Sequence, residues 1–167
     1  MRLTLEQALK NHQSSVFKAA FYICRNYQDA EDVAQDTFLA YYSSNDQFES
    51  EDHIRAWLIR VATNKAKNLK TSFWHRNRIS LPDLTSWLET HAFAGVDNPD
   101  QDSEEILAAV MGLPDKCRII VHLFYYEDYS VKEIAEVLEI KESTVKSQLH
   151  RGRTILKNVL KEKWGNE

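Results

Sequence analysis

The chain has 167 residues, 43% of them hydrophobic and 28% charged, with a net charge of −4. That is enough apolar content to bury a core in one medium domain or two small ones, and too much for a disordered chain. With only 4 glycines and 3 prolines, none before Pro82 and none between Asp115 and Arg151, a sandwich, barrel or Rossmann sheet lacks the residues its tight turns need, and an all-α fold is expected.

In chain order, Ala8, Val16, Ala19, Ala20 and Ile23 fit one amphipathic helix. Ala30, Val33, Ala34, Thr37, Phe38 and Tyr41 repeat at three- and four-residue spacing on a second, from Gln28 to Tyr42. Ile54, Trp57, Leu58, Val61 and Ala62 do so on a third, with Trp57 expected in the core. From about Ser80 to Ser103 the period fails, Asp97-Asn98-Pro99-Asp100 signals a turn, and an acidic linker is expected, with a short helix around Leu84 to Leu88. Ser103 is the expected N-cap of the next helix, with Glu104 and Glu105 in its first turn. Leu113-Pro114-Asp115 marks a break, and Ile119 to Tyr126 is expected as a buried helix. Val131 to Leu138 follows, capped by Ser130 with Glu133 at its third position, and a final helix ends near Trp164. The expected domains are therefore 1–79 and 104–167, joined by the linker 80–103.

Charge is segregated along the chain. Gln28 to Asp52 holds eight acidic residues and no Lys or Arg, His53 to Arg78 seven basic and no acidic, Ile79 to Asp115 eight acidic and no basic, and Lys141 to Lys163 seven basic against two acidic. Blocks of alternating sign imply two electropositive surfaces separated by acidic segments. The two cysteines, Cys24 and Cys117, lack CxxC spacing, which argues against a disulfide framework or zinc ribbon; both are expected to be buried. The longest apolar run, broken by His122, is too short for a bilayer, and Glu6 and Lys10 break a signal-peptide pattern, so no membrane insertion and a cytoplasmic location are expected.

Three constellations carry chemistry. From Tyr129 to Leu156 the spacing is that of a helix-turn-helix: Ala135 is small where helices cross, Ile140 is an apolar turn residue, and Lys146, Ser147, His150, Arg151 and Arg153 lie on the polar side of the second helix, where they can meet phosphates and base edges in a major groove. An ordinary hairpin with a solvated basic face is the competing reading, and Glu139 favours it by standing where many such turns use Gly. On the Gln28–Tyr42 helix, Asp29, Asp32, Gln35, Asp36 and Leu39 form an outward acidic stripe, readable as solvation with dipole compensation or as a Mg²⁺ site lacking a convergent third ligand. On the next helix Arg60, Asn64, Lys67 and Thr71 share a face, followed by Phe73, Trp74, His75, Arg76 and Arg78; cations, amides and rings in that order suit a single strand, while a solvated face with Trp57 and Phe73 in the core explains them as well.

The residues Asp29-Ala30-Glu31-Asp32-Val33-Ala34-Gln35-Asp36-Thr37-Phe38 and Ala56-Trp57-Leu58-Ile59-Arg60-Val61-Ala62-Thr63-Asn64, then Leu113-Pro114-Asp115-Lys116 and the segment Tyr129 to Arg153, resemble in order those of bacterial RNA polymerase sigma factors of the extracytoplasmic-function group. The resemblance spans nearly the whole chain. It implies that Asp29, Asp32, Gln35 and Asp36 dock on core RNA polymerase, that Asn64, Lys67 and Asn68 capture an unstacked base of the minus-10 element, and that Lys146, Ser147, His150 and Arg151 read the minus-35 element of promoter DNA. It implies no catalytic residue and no cofactor, and it implies an anti-sigma partner. Glu139 and His150 depart from the family's habit at the minus-35 site. The alternatives are a two-domain helix-turn-helix regulator that binds duplex operators without polymerase, a metal-dependent nuclease using the Asp29–Asp36 acids, and a pure protein-interaction module.

Overall fold

The computed structural model describes residues 1–73 and 101–164; the expected short helix around Leu84 to Leu88, and Trp74, His75, Arg76 and Arg78, lie outside them. Every element described is a helix: α1 (Leu5–Cys24), α2 (Tyr27–Ser43), α3 (Glu51–Phe73), α4 (Gln101–Met111), α5 (Asp115–Tyr125), α6 (Val131–Leu138) and α7 (Glu142–Trp164). They belong to two compact units, α1–α3 and α4–α7.

In the first unit, α1 opens on a reciprocal cap: Thr4 Oγ1 accepts from the Gln7 amide at 3.1 Å, and Gln7 Oε1 accepts from the Thr4 amide at 3.0 Å, satisfying two donors that helix geometry would otherwise orphan. It ends at Arg25 in the left-handed region, φ 54°, and Asn26 immediately caps α2 by accepting from the Asp29 amide at 2.9 Å. The buried stripe of α2 is Ala30, Val33, Ala34, Thr37, Phe38 and Tyr41, the set its period predicts. The helix α2 packs on α1 and α3, which bury Ala8, Val16, Ala19 and Phe21 and Ile54, Leu58, Ile59, Ala62 and Ala66 respectively; each large apolar side chain so buried contributes about 1.5–3 kcal/mol.

The connection from α2 to α3 is held by aromatic packing. Phe48 is buried, its ring centre 5.8 Å from that of Tyr41 and 6.0 Å from that of Trp57. Trp57 is only half-buried, which corrects its expected place in the core: its indole Nε1 donates to Asp46 Oδ2 at 3.0 Å, and an amphipathic ring with a partner at the surface has no reason to be submerged. The Arg2 guanidinium donates to the Tyr41 and Asp46 carbonyls and lies 4.6 Å from the Tyr41 ring centre. These contacts tie the connection to the N-terminal segment and to the start of α3.

In the second unit, α4 begins at Gln101, so Ser103 is inside the first turn rather than at the expected N-cap; Glu104 and Glu105 still lie near the positive end of the helix dipole. Pro114 is the N-cap residue of α5, a position where its missing N–H and fixed φ cost nothing. The helix starts at Asp115, ahead of the expected Ile119, and buries Cys117 to Leu123, while Tyr125 and Tyr126 at its end are exposed, so the apolar run is not buried throughout. Arg118 is 1% exposed and spends its Nη2 on the Leu113 carbonyl at 2.9 Å and on Asp115 Oδ1 at 2.8 Å, securing the start of the helix.

The helix α6 has the expected boundaries and the expected cap, with Ser130 Oγ accepting from the Glu133 amide at 3.1 Å and Glu133 Oε1 from the Ser130 amide at 3.0 Å. It ends on Glu139 at φ 58°, and the amides of Glu139 and Ile140 both donate to the Ala135 carbonyl. A non-glycine residue pays about 1 kcal/mol in that conformation, and Ile140, half-buried, follows it into the turn. The Val145, Leu149 and Gly152 face of α7 is buried. A Cβ built on Gly152 would lie 2.8 Å from Val121 Cγ2 and 3.5 Å from Cys117 Cβ, so glycine is what lets α7 sit this close to α5.

Candidate functional site

The outer face of α2 carries Asp32, Gln35 and Asp36, all exposed, with Asp29 half-buried in the first turn, where its charge complements the helix dipole. The stripe continues into Leu39, 55% exposed, and Tyr42, 68% exposed. These two side chains add apolar surface to the acidic face. The sequence reading included Leu39 and missed Tyr42, although Tyr42 is three residues beyond Leu39 and on the same side of the helix.

Between α2 and α3 runs an open groove of about 500 Å³ lined by Asp32, Val33, Gln35, Asp36, Lys65, Asn68 and Leu69. It brings Asn68 alongside the acidic stripe. Asn64 and Lys67, both half-buried, do not line it, so the three residues expected at the minus-10 element lie on more than one face of α3. Thr63 is buried, and its hydroxyl donates to the Arg60 carbonyl at 2.9 Å, so this polar side chain is satisfied within its own helix. Lys65 and Leu69 are groove residues that the sequence reading did not select; their place in the groove depends on α2 lying beside them.

In the second unit Lys146, Ser147, His150 and Arg151 are all exposed on α7, as the helix-turn-helix spacing predicts. Ser147 Oγ donates to the Thr144 carbonyl at 3.2 Å, which leaves the oxygen able to accept. Gln148 is turned inward, its Oε1 accepting from Cys117 Sγ at 3.1 Å. Burial pushes the Cys117 thiol up, against the pull of Arg151 and Arg118, and burial pushes Cys24 in α1 up to about 12. Both are therefore poor nucleophiles, consistent with their expected place in the core. Arg153 is exposed but not isolated: its Nε donates to the Tyr125 hydroxyl at 2.6 Å. Among the described residues no group of three or more His, Cys, Asp or Glu side chains is placed to hold a metal ion, and no helix is long and apolar enough to cross a membrane.

Both units match known families. Residues 8–76 match Sigma-70 region 2 and residues 103–156 match Sigma-70, region 4. The ECF RNA polymerase sigma-E factor of Haemophilus influenzae is 31% identical over 147 residues, covering 82% of this chain and 76% of that protein. The ECF RNA polymerase sigma factor SigW of Bacillus subtilis is 28% identical over 160 residues, covering 90% and 86%. Among solved structures, the sigma factor RpoE of Bartonella quintana, in complex with the anti-sigma factor NepR, superposes with a TM-score of 0.67 at 22% identity, covering 93% of this chain and 96% of that one. CnrH, in complex with the cytosolic domain of CnrY, does so with a TM-score of 0.65 at 23% identity, covering 95% and 88%.

Proposed function

The chain belongs to the extracytoplasmic-function RNA polymerase sigma factors, and from that premise we propose that it directs promoter-specific initiation by giving α2 to core RNA polymerase, α3 to an opened minus-10 strand and α7 to minus-35 duplex. The observation that carries this reading is the ordered pair of matched regions combined with opposite surface chemistry on the helices that would do the work. Asp29, Asp32, Gln35 and Asp36, extended by Leu39 and Tyr42, offer a polymerase subunit carboxylates and apolar contact together. Lys146, Ser147, His150 and Arg151 offer duplex DNA cations and hydroxyls suited to base edges and phosphates. Asn64, Lys67 and Asn68 offer amides and charge to an unstacked base.

We assign the first domain to residues 1–79, the acidic linker to 80–103 and the second domain to 104–167. Two DNA-binding units on one chain gain from effective concentration when promoter spacing suits both. Extruding a minus-10 base costs a few kcal/mol, which contacts to that base offset. Members of this family are DNA-binding initiation factors and not enzymes; here the chain supplies selectivity, and nucleotidyl transfer belongs to the polymerase. A cytoplasmic location follows from that partner. An anti-sigma partner is proposed as well, supported by the complexes in which the RpoE and CnrH neighbours were solved.

The test is transcription in vitro from genomic templates by core polymerase with and without the protein, with start sites mapped by sequencing. New, discrete start sites are expected. A start-site profile identical to that of core polymerase alone overturns the reading, and a specific gel shift by the protein without polymerase would instead favour the operator-binding regulator.

A further inference from the structure

Arg153 stands in an unusual setting for a surface arginine. It follows Lys146 by seven residues and His150 by three, and precedes Lys157 by four, so the four side chains line one face of α7, and all are exposed. From Ser143 to Lys161 the sequence of α7 contains no Asp or Glu. The guanidinium is nonetheless held: Nε donates to the Tyr125 hydroxyl at 2.6 Å, and its carbon lies 5.3 Å from the Phe124 ring centre and 5.6 Å from that of Tyr125. Tyr125, at the end of α5, is 49% exposed, so the clasp is at the surface.

The chemistry of this clasp differs from that of Arg118 in the same unit. Arg118 is buried against a carboxylate and a carbonyl, which compensates its charge and commits it to structure. A phenol oxygen is a neutral acceptor. It takes the Nε proton and leaves the positive charge intact, with the fork of terminal nitrogens, the part that grips phosphate bidentately, still to be used. Stacking near two rings restrains a side chain that would otherwise lose rotamer freedom on binding. We propose, resting on the sigma-factor reading above, that Arg153 is an additional contact to the phosphate backbone of minus-35 duplex, and that Tyr125 is the positioning residue that aims it.

The experiment uses holoenzyme reconstituted from core polymerase and the full chain, on the genomic fragment from which it initiates most strongly and on the same fragment with its minus-35 segment scrambled. Binding is measured across about 50 to 200 mM salt. Arg153→Ala is expected to weaken both fragments by the same factor and to reduce the steepness of log K against log salt by about one. Tyr125→Phe keeps the rings and the charge, so the steepness stays while affinity for both fragments falls on the order of threefold. Added to Arg153→Ala, Tyr125→Phe should have no further effect. Arg153→Lys, which retains the charge without the fork, should behave as Tyr125→Phe does. Unchanged steepness in Arg153→Ala removes Arg153 from the phosphate contacts. A Tyr125→Phe protein that binds like wild type, or that loses as much affinity with Arg153 already gone, makes the clasp a mere staple between α5 and α7. If the wild-type holoenzyme selects no start sites, it is the sigma-factor reading that fails.

Discussion

The helices α3 and α7 are both 23 residues long, and both turn basic and amide side chains outward, yet their surroundings differ. Lys65 and Asn68 of α3 share a groove with Asp32 and Asp36 of α2. In α7, Lys146, His150, Arg151, Arg153 and Lys157 are exposed on a stretch without a single acid. Carboxylates across a groove weaken the local positive potential, so on the proposed reading α3 would rely less on charge than on amides for its contact with a strand. Within α7 itself no carboxylate falls between Ser143 and Lys161, which suits the duplex contact proposed for it. The difference teaches that counting lysines does not describe the surface a helix offers; the charges facing those lysines must be counted with them.

The largest expected effect comes from inverting the acidic side of that contrast. Asp32→Arg with Asp36→Arg should abolish co-purification with core polymerase while circular dichroism stays unchanged, and normal co-purification would remove α2 from the docking face. Next is the seating of α7: Gly152→Val drives a branched side chain toward Val121 and should cost about 1–3 kcal/mol in a urea melt. No loss there would show that α7 does not need its close approach to α5. Arg151→Ala should weaken promoter binding by up to about 1–3 kcal/mol if Arg151 pairs with a base edge, more on the promoter than on random duplex; equal losses on both would reduce Arg151 to a phosphate contact.

Two smaller effects sharpen the comparison of the units themselves. His12 of α1 is buried, with its Nε2 3.3 Å from Glu51 Oε1. Burial lowers its pKa from 6.5, helped by Arg55 and opposed by Glu51 and Asp52. The unfolded chain therefore takes up this proton before the folded one does, and stability present above about pH 6.5 is lost as pH falls toward the lowered value. Thermal melts of the wild type should drop over that window and those of His12→Gln should drop less. In the second unit, Glu139→Gly relieves the left-handed position that ends α6 and should stabilise by about 0.5–1 kcal/mol, read as a higher denaturant midpoint; no gain would mean that the Glu139 side chain offsets its own strain.

Much of this architecture was legible in the sequence because its causes are local. The α2 stripe, the α6 boundaries with the Ser130–Glu133 cap, and the break at Pro114 each follow from spacing or from one residue's backbone chemistry. The αL turn at Glu139 was visible only as a conflict, a side chain where glycine is easier. What the sequence did not reveal depends on neighbours distant along the chain. Trp57 is only half-buried because Asp46 is there to accept its hydrogen bond. Lys65 becomes a groove residue through α2, Gly152 a contact residue through Val121, and Arg153 a held cation through Tyr125. The site residues were selected by resemblance and by face, and the pairing of Asn68, but not Asn64 or Lys67, with the acidic stripe needed three dimensions.

The two cysteines fall one to each unit, Cys24 in α1 and Cys117 in α5, and both are buried. An alkylating reagent can thus reach either sulfur only when the helices around it open. The unaltered protein therefore carries two built-in reporters: the rates at which peptides holding Cys24 and Cys117 acquire label would give the opening free energy of each half separately, and would tell which half tightens when polymerase or DNA is added.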